Sequence, residues 1–304
     1  MTLSNSIKLE IEKLRNDNLS GASELSAKAI EVIKSMLKEI NKDENLESIL
    51  KELCSQIINA RPSMAPLINT IGYIYDNLQE YTIDSINSVI EKLYAHKSRI
   101  QDRLERNFDI FIHEINISKP RIMLISYSST IINLLNKQKN IDFKFYILES
   151  RPLNEGQKTA ELLGDKFETH LIIDAAIGKF MNDIDIILIG VDSILESGGI
   201  VNKIGTYPLS VLAKSNGKAV YAIGDSLKYN LRSHFGLPVE IIKKSSIEVI
   251  ERKELNFQVE NFYFDITPAK YIHRIISDLG ILIPKKFIVE VKKSIPLDWF
   301  KNFM

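Results

Sequence analysis

Apolar positions recur every three to four residues through the first third of the chain, then give way to short continuous runs. "SIKLEIEKLRN" sets Ile7, Ile11 and Leu14 at helical spacing. "ELSAKAIEVIKSMLKEI" sets Leu25, Ala29, Ile33 and Leu37 on one stripe. "NLESILKELCSQIINA" turns Leu50, Leu53 and Ile57 inward and carries Cys54 on the same apolar face, where a lone thiol reads as core. Arg61-Pro62 breaks this helix, because the residue before a proline is disfavoured in the α region. Further helical patterns cover 64–78 and 81–114.

At Lys119-Pro120 the period changes. "RIMLISYS", "FKFYILES", "THLIIDAA", "IDIILIG" and "KAVYAIG" are apolar runs ending in polar or glycine turns, most of them leading into a helix. Continuous apolar strands alternating with helices predict a parallel sheet covered on both faces. The expected fold is therefore α/β: a helical N-terminal domain over 1–117, then a domain with a mainly parallel sheet over 118–304. After the last run, "YIHRIISDLGILIP" reads as an apolar helix. Trp299 and Phe300 in the tail are expected to be left for a subunit interface, the plainer alternative being that the tail packs on its own domain.

Ligands of such sheets bind outside the carboxyl ends of the strands. That rule selects Ser126-Tyr127-Ser128, Glu149-Ser150-Arg151, Asp174, Gly190-Val191-Asp192 and Gly224-Asp225-Ser226. Nearby, Arg151, Lys203 and Lys228 supply cations. Ser126, Ser128, Asn202 and Thr206 supply neutral hydrogen-bonding groups, and Asp192 a carboxylate. This set suits an anionic, hydroxylated small molecule. A helix starting near Ser128 adds free backbone N–H groups for an anion. Each residue alone has a plainer reading as a turn or cap; the case rests on their convergence.

Composition narrows the classes. The 304 residues are 45% apolar and 26% charged, with Lys+Arg and Asp+Glu at 39 each. A balanced chain lacks the basic surface that non-specific nucleic-acid binding needs. The single cysteine excludes an internal disulfide, and the five histidines have no zinc spacing, so no metal is expected. No GxGxxG follows the first strand and there is no P-loop, so no nucleotide cofactor is expected. No run reaches the roughly 18 apolar residues of a spanning helix. With no signal-peptide pattern, a cytosolic location is expected.

"ESRPLNEGQKTAELL", "DAAIGKFMNDIDIILIGVDSILESGGIVNKIGT" and "FDITPAKYIHRIISDLGILIP" closely resemble one superfamily, across most of the chain. It contains the alpha, beta and delta subunits of translation initiation factor 2B, their archaeal homologues, ribose-1,5-bisphosphate isomerase and methylthioribose-1-phosphate isomerase. The resemblance implies a helical domain followed by a Rossmann-like domain, and assembly as homodimers or hexamers. The isomerase members convert a sugar 1-phosphate to a ketose with a Cys in T-H-C-x-[SA] and an Asp in G-A-D. The resemblance sets Asp192 at that Asp, and Ser126 at that Cys. It sets Ser20, followed by Gly21, where ribose-1,5-bisphosphate isomerases carry a phosphate-facing Arg. Arg61, Arg151, Asn202, Lys203 and Lys228 match phosphate and sugar contacts.

A thiol, with a reference pKa of about 8.5, exchanges protons near neutrality; an aliphatic hydroxyl is a far weaker acid. Ser126 needs a partner base to replace the Cys. The leading expectation is thus a regulatory, non-catalytic homologue holding a phosphorylated sugar or nucleotide, with ionised Asp192 binding sugar hydroxyls. Initiation factor 2 subunits are candidate partners. A divergent aldose–ketose isomerase is the alternative reading, and an assembly subunit with a vestigial pocket the third.

Overall fold

In a computed structural model of the chain, residues 3–17, 20–40, 45–62, 64–139, 141–252 and 256–304 are described. The helices begin where short polar side chains replace missing backbone partners. Ser4 accepts from the Ile7 amide at the start of α1 (Asn5–Asn16), and Asn45 from the Ser48 amide at the start of α3 (Leu46–Ala60). Between them lies α2 (Ala22–Glu39), and after them α4 (Ala65–Asp76). The long α5 (Ile83–Ile115) is capped by Thr82 and stops at Asn116, in left-handed backbone at φ 46°.

The alternating segments follow: β1 (Arg121–Ile125), α6 (Ser129–Lys137), β2 (Lys144–Leu148), α7 (Glu155–Gly164), β3 (Glu168–Ile172), the short α8 (Ile177–Phe180) and β4 (Ile186–Gly190). Two short strands come next, β5 (Ser193–Ile194) and β6 (Ile200–Lys203), then α9 (Thr206–Ser215), β7 (Ala219–Ile223) and the short α10 (Leu231–His234). The chain closes with β8 (Phe264–Thr267), β9 (Arg274–Ser277), β10 (Gly280–Leu282) and α11 (Pro284–Ser294). Among the described residues one sheet has seven strands in the order β10-β9-β7-β4-β1-β2-β3, parallel except for β10. A smaller antiparallel sheet pairs β5, β6 and β8.

"YIHRIISDLGILIP" is therefore not a helix. Arg274–Ser277 adds to β7 as a parallel strand and turns through Asp278-Leu279 into β10. Ile275 and Ile276 point to opposite faces of the sheet, and both are fully buried. An apolar run this short fits a doubly covered strand as well as a helix, and the sheet edge decides.

The strands read as unbroken apolar runs because each alternate side chain enters a different core. Ile122 and Leu124 of β1 join one core with Leu104, Phe108 and Phe111 of α5, Leu134 and Leu135 of α6, and Leu163 of α7. Met123 and Ile125 join the other, which is continuous with α1–α4 and the first half of α5. The helical period ends near residue 117, but the packing does not divide there: α5 serves both cores.

The tail also departs from expectation. Trp299 and Phe300 are buried, in a helical turn at Asp298–Phe303 that packs against α4. A Cβ built on Gly72 would lie 1.9 Å from the Trp299 ring, so only glycine at that point of α4 admits the indole. Phe303 meets Tyr75 edge-on at 5.0 Å. The tail is thus a strap across the N-terminal helices and not a free apolar surface.

Candidate functional site

The C-terminal ends of β1 and β4 open into a cavity of about 140 Å³. Two helices begin at its wall. Gly21 precedes α2 without any side-chain cap, and residues 20–24 line the cavity. Ser128 caps α6 by accepting from the Ile131 amide, and residues 126–130 form the facing wall. Helix N-termini present free N–H groups and the positive end of the helix dipole, which favours anions. Gly190 makes the second approach possible: a Cβ there would meet Ser128 Cβ at 3.1 Å and its Oγ at 3.2 Å.

Ser126 and Ser150 both take left-handed backbone, at φ 66° and 67°. Such residues persist where surroundings fix them. Here Ser150 Oγ accepts from the Ser126 amide at 2.7 Å, while Asp174 accepts from the amides of Ser150 and Arg151, each at 2.8 Å. Ser150 and Asp174 therefore build the frame that presents Ser126 and do not line the cavity.

The opposite wall comes from β6 and the turn after β7. Lys203 is only 3% exposed and holds Glu155 at 2.8 Å, with its ammonium 5.4 Å from the Tyr263 ring centre. Glu155 reaches it because α7 starts hard against the end of β2: a Cβ on Gly156 would overlap the Leu148 carbonyl at 1.8 Å. Asn202 donates to Thr206 Oγ1 at 3.0 Å, and that hydroxyl donates to the Lys203 carbonyl at 2.6 Å. Lys228 arrives on the helical turn Ser226–Lys228, which Asp278 anchors by accepting from the Ser226 amide and hydroxyl at 2.6 and 2.9 Å.

Asp192 lies on this cavity, with its amide donating to the Val201 carbonyl at 3.0 Å. Burial pushes its carboxyl above the usual carboxylate range; Lys228 and Lys203 oppose the shift and Glu155 reinforces it.

Of the residues expected from sequence, Ser20, Gly21, Ser126, Ser128, Asp192, Asn202, Lys203 and Lys228 share this cavity. Two do not. Arg151 is exposed, its guanidinium donating to the carbonyls of Glu248 and Val249 at 3.3 and 3.2 Å. The left-handed turn at Ser150, pinned by Asp174, directs it to that loop. Arg61 is buried at the end of α3 and donates to the carbonyls of Leu14, at 3.0 Å, and Asp17. It ties α1 to the segment before α2, outside the cavity wall. Asp225 of the strand-end set faces a different cleft, between the helices.

Sequence reasoning selected Tyr127 at a strand end but missed Glu155, Tyr263 and Phe264, and all four are on the wall. Glu155 stood within a quoted motif, four residues past Arg151, with no sign that it would pair with Lys203. Tyr263 and Phe264 carry no local signal: they come in through β8, which pairs with β6 across 60 residues of chain. Lys158 stacks its ammonium on the Tyr127 ring, 3.9 Å from the ring centre.

Fold and cleft define the class: an α/β protein with a polar cleft outside the carboxyl ends of its parallel strands. The chain belongs to the initiation factor 2 subunit family, whose profile matches residues 18–284. It is 28% identical over 296 residues to a ribose 1,5-bisphosphate isomerase of Methanocaldococcus jannaschii, covering 92% of each chain. It is 29% identical over 285 residues to a putative translation initiation factor eIF-2B subunit 2-like protein of Pyrococcus furiosus, covering 92% of this chain and 97% of that one. The crystal structure of the Pyrococcus horikoshii translation initiation factor eIF-2B superposes with a TM-score of 0.81 at 26% identity, covering 94% of this chain and all of that one.

Proposed function

We propose that the strand-end cavity binds a small phosphorylated sugar or nucleotide and holds it without efficient turnover. The observation that carries this reading is the convergence of two helix N-termini with buried Lys203 and Lys228 on one polar cleft. Amides and ammonium groups together suit phosphate oxygens. Asp192 and Asn202 suit sugar hydroxyls. Against turnover stands Ser126: it lines the same cavity as Asp192, but an aliphatic hydroxyl is a far weaker acid than a thiol, and among the described residues no base contacts it.

A second reading, an aldose–ketose isomerase of a sugar 1-phosphate, is favoured by the raised Asp192 carboxyl, since a buried carboxyl of that kind suits proton transfer. The likeness to a protein named ribose 1,5-bisphosphate isomerase supports it equally with the initiation-factor likeness. One assay separates the two. Ribose 1,5-bisphosphate binds in a calorimeter under both; ketose formation at about 1 s⁻¹ or faster belongs to the isomerase. Without turnover, activity gained by Ser126→Cys and lost again with Asp192→Asn would mark an isomerase site lacking only its acid.

The chain acts as a homodimer or larger assembly in this proposal. Exposed Ile242, Ile247 and Phe257, in the long segment before β8, supply apolar surface for it. Light scattering that returns a monomer mass at micromolar concentration would reject the assembly.

A further inference from the structure

A second cleft, of about 350 Å³, opens between α2, α4 and α5, on the far side of the Ser226–Lys228 turn. Its volume falls in the roughly 300–1,000 Å³ range of small-molecule pockets. Ala27, Ile30, Pro66, Ile100 and Leu227 give it an apolar wall. Two opposite charges stand in that wall, Lys97 from α5 and Asp225 from the turn. They feel each other's field, yet among the described residues Lys97 makes no hydrogen bond or ion pair. Burial holds its ammonium down to about 8, with Asp225 opposing and Lys228 assisting.

Two further groups are unfinished. Among the described residues, the hydroxyl of Thr70, fully buried on the same wall, has no partner, nor has one carboxylate oxygen of Asp225. Native proteins seldom leave such groups unpaired, because each carries a desolvation cost. A cation and an anion left apart across an apolar cleft match a ligand with the same charges reversed.

We propose that this cleft is a second ligand site, for a small zwitterion of the apolar α-amino-acid class. Lys97 takes the carboxylate and Asp225 the ammonium. The wall of Ile30, Pro66 and Leu227 takes the apolar body, and Thr70 gains a partner when the side chains close on the ligand. Ser23 lines both clefts, and the turn carrying Asp225 and Leu227 into this one carries Lys228 into the other. The proposal does not rest on the identity of the ligand in the strand-end cavity.

The test uses leucine as probe, titrated calorimetrically into the full chain. Leucine is expected to bind, and Lys97→Met or Asp225→Asn to weaken it by about ten- to a hundredfold, the loss of one charge-assisted contact. Leucinol, which lacks the carboxylate, should bind weakly to the wild type and be indifferent to Lys97→Met. 4-Methylpentanoate, which lacks the ammonium, should be indifferent to Asp225→Asn. Ser98→Trp, a change at an exposed position on the rim, blocks the cleft without touching the core and should abolish leucine binding even if the buried-site variants fail to fold. Absence of leucine binding up to about 10 mM, ten times a Kd of about 1 mM, overturns the proposal. So does leucine binding that survives Ser98→Trp unchanged.

Discussion

The two faces of the seven-stranded sheet are closed by different means. One is covered by the second half of α5 with α6 and α7, segments that adjoin the strands they cover. The other is covered by α9 and α11, by helices from the start of the chain, and by Trp299 and Phe300 from its end. Both clefts border the second arrangement: one lies where β1 and β4 meet the start of α2, the other between α2, α4 and α5. A face closed by remote segments meets at joints, and at these joints polar groups such as Lys97 and Asp225 stand in clefts.

The strongest way to break this comparison is to cut the strap. Trp299→Ala removes a buried aromatic side chain and is expected to cost about 3–5 kcal/mol in denaturant unfolding. If the joint is separate, amide exchange should rise in α4 and the tail but not in α6 or α7. Equal loosening of both faces would show one undivided core. Gly72→Ala should reproduce the effect from the other side of the contact.

A second expectation concerns the hairpin joint. Burial first, then the nearby Asp225, pushes the Asp278 carboxyl up to about 6. A carboxyl raised in the folded state favours folding below its unfolded pKa of about 3.9, and that contribution is lost as pH rises through about 6. At about 1.4 kcal/mol per unit, the swing is about 3 kcal/mol between pH 4 and 7. Asp278→Asn should remove it from urea midpoints measured across that range. Asp265, also raised to about 6 by burial, keeps its own share of the slope in the variant.

Within the strand-end cavity, Lys203→Met should weaken binding of ribose 1,5-bisphosphate by about ten- to a hundredfold, corresponding to about 1.5–3 kcal/mol for a charge-assisted contact. Retained affinity would move the phosphate elsewhere. Ser128→Ala removes the cap of α6 and should cost about 1 kcal/mol of stability. The smallest effect belongs to Arg151→Ala. Its exposed guanidinium lies on the carbonyls of Glu248 and Val249, so ligand affinity should change by less than about 0.5 kcal/mol. A larger loss in the calorimeter would bring Arg151 back to the site.

The local periods determined most of the elements. Helical spacing placed α1 to α5, and the apolar runs placed β1, β2, β3, β4 and β7, because burial on one stripe or on two faces imprints a repeat on neighbouring residues. The strand-end rule drew Ser126, Ser128 and Asp192 to one edge, since a parallel sheet brings successive strand ends together whatever its strand order. Only the tertiary structure decided which polar residues face the strand-end cleft and which hold its frame. Arg151 and Arg61 look like ligand cations in sequence, and each is occupied by backbone carbonyls of a remote loop or helix end. Glu155 pairs with Lys203, 48 positions away, because Gly156 lets α7 start against β2. The strand at Arg274–Ser277 and the seat of Trp299 at Gly72 were settled by the same cause. An apolar segment of a few residues is compatible with several environments, and the partner that selects among them is far away in the chain.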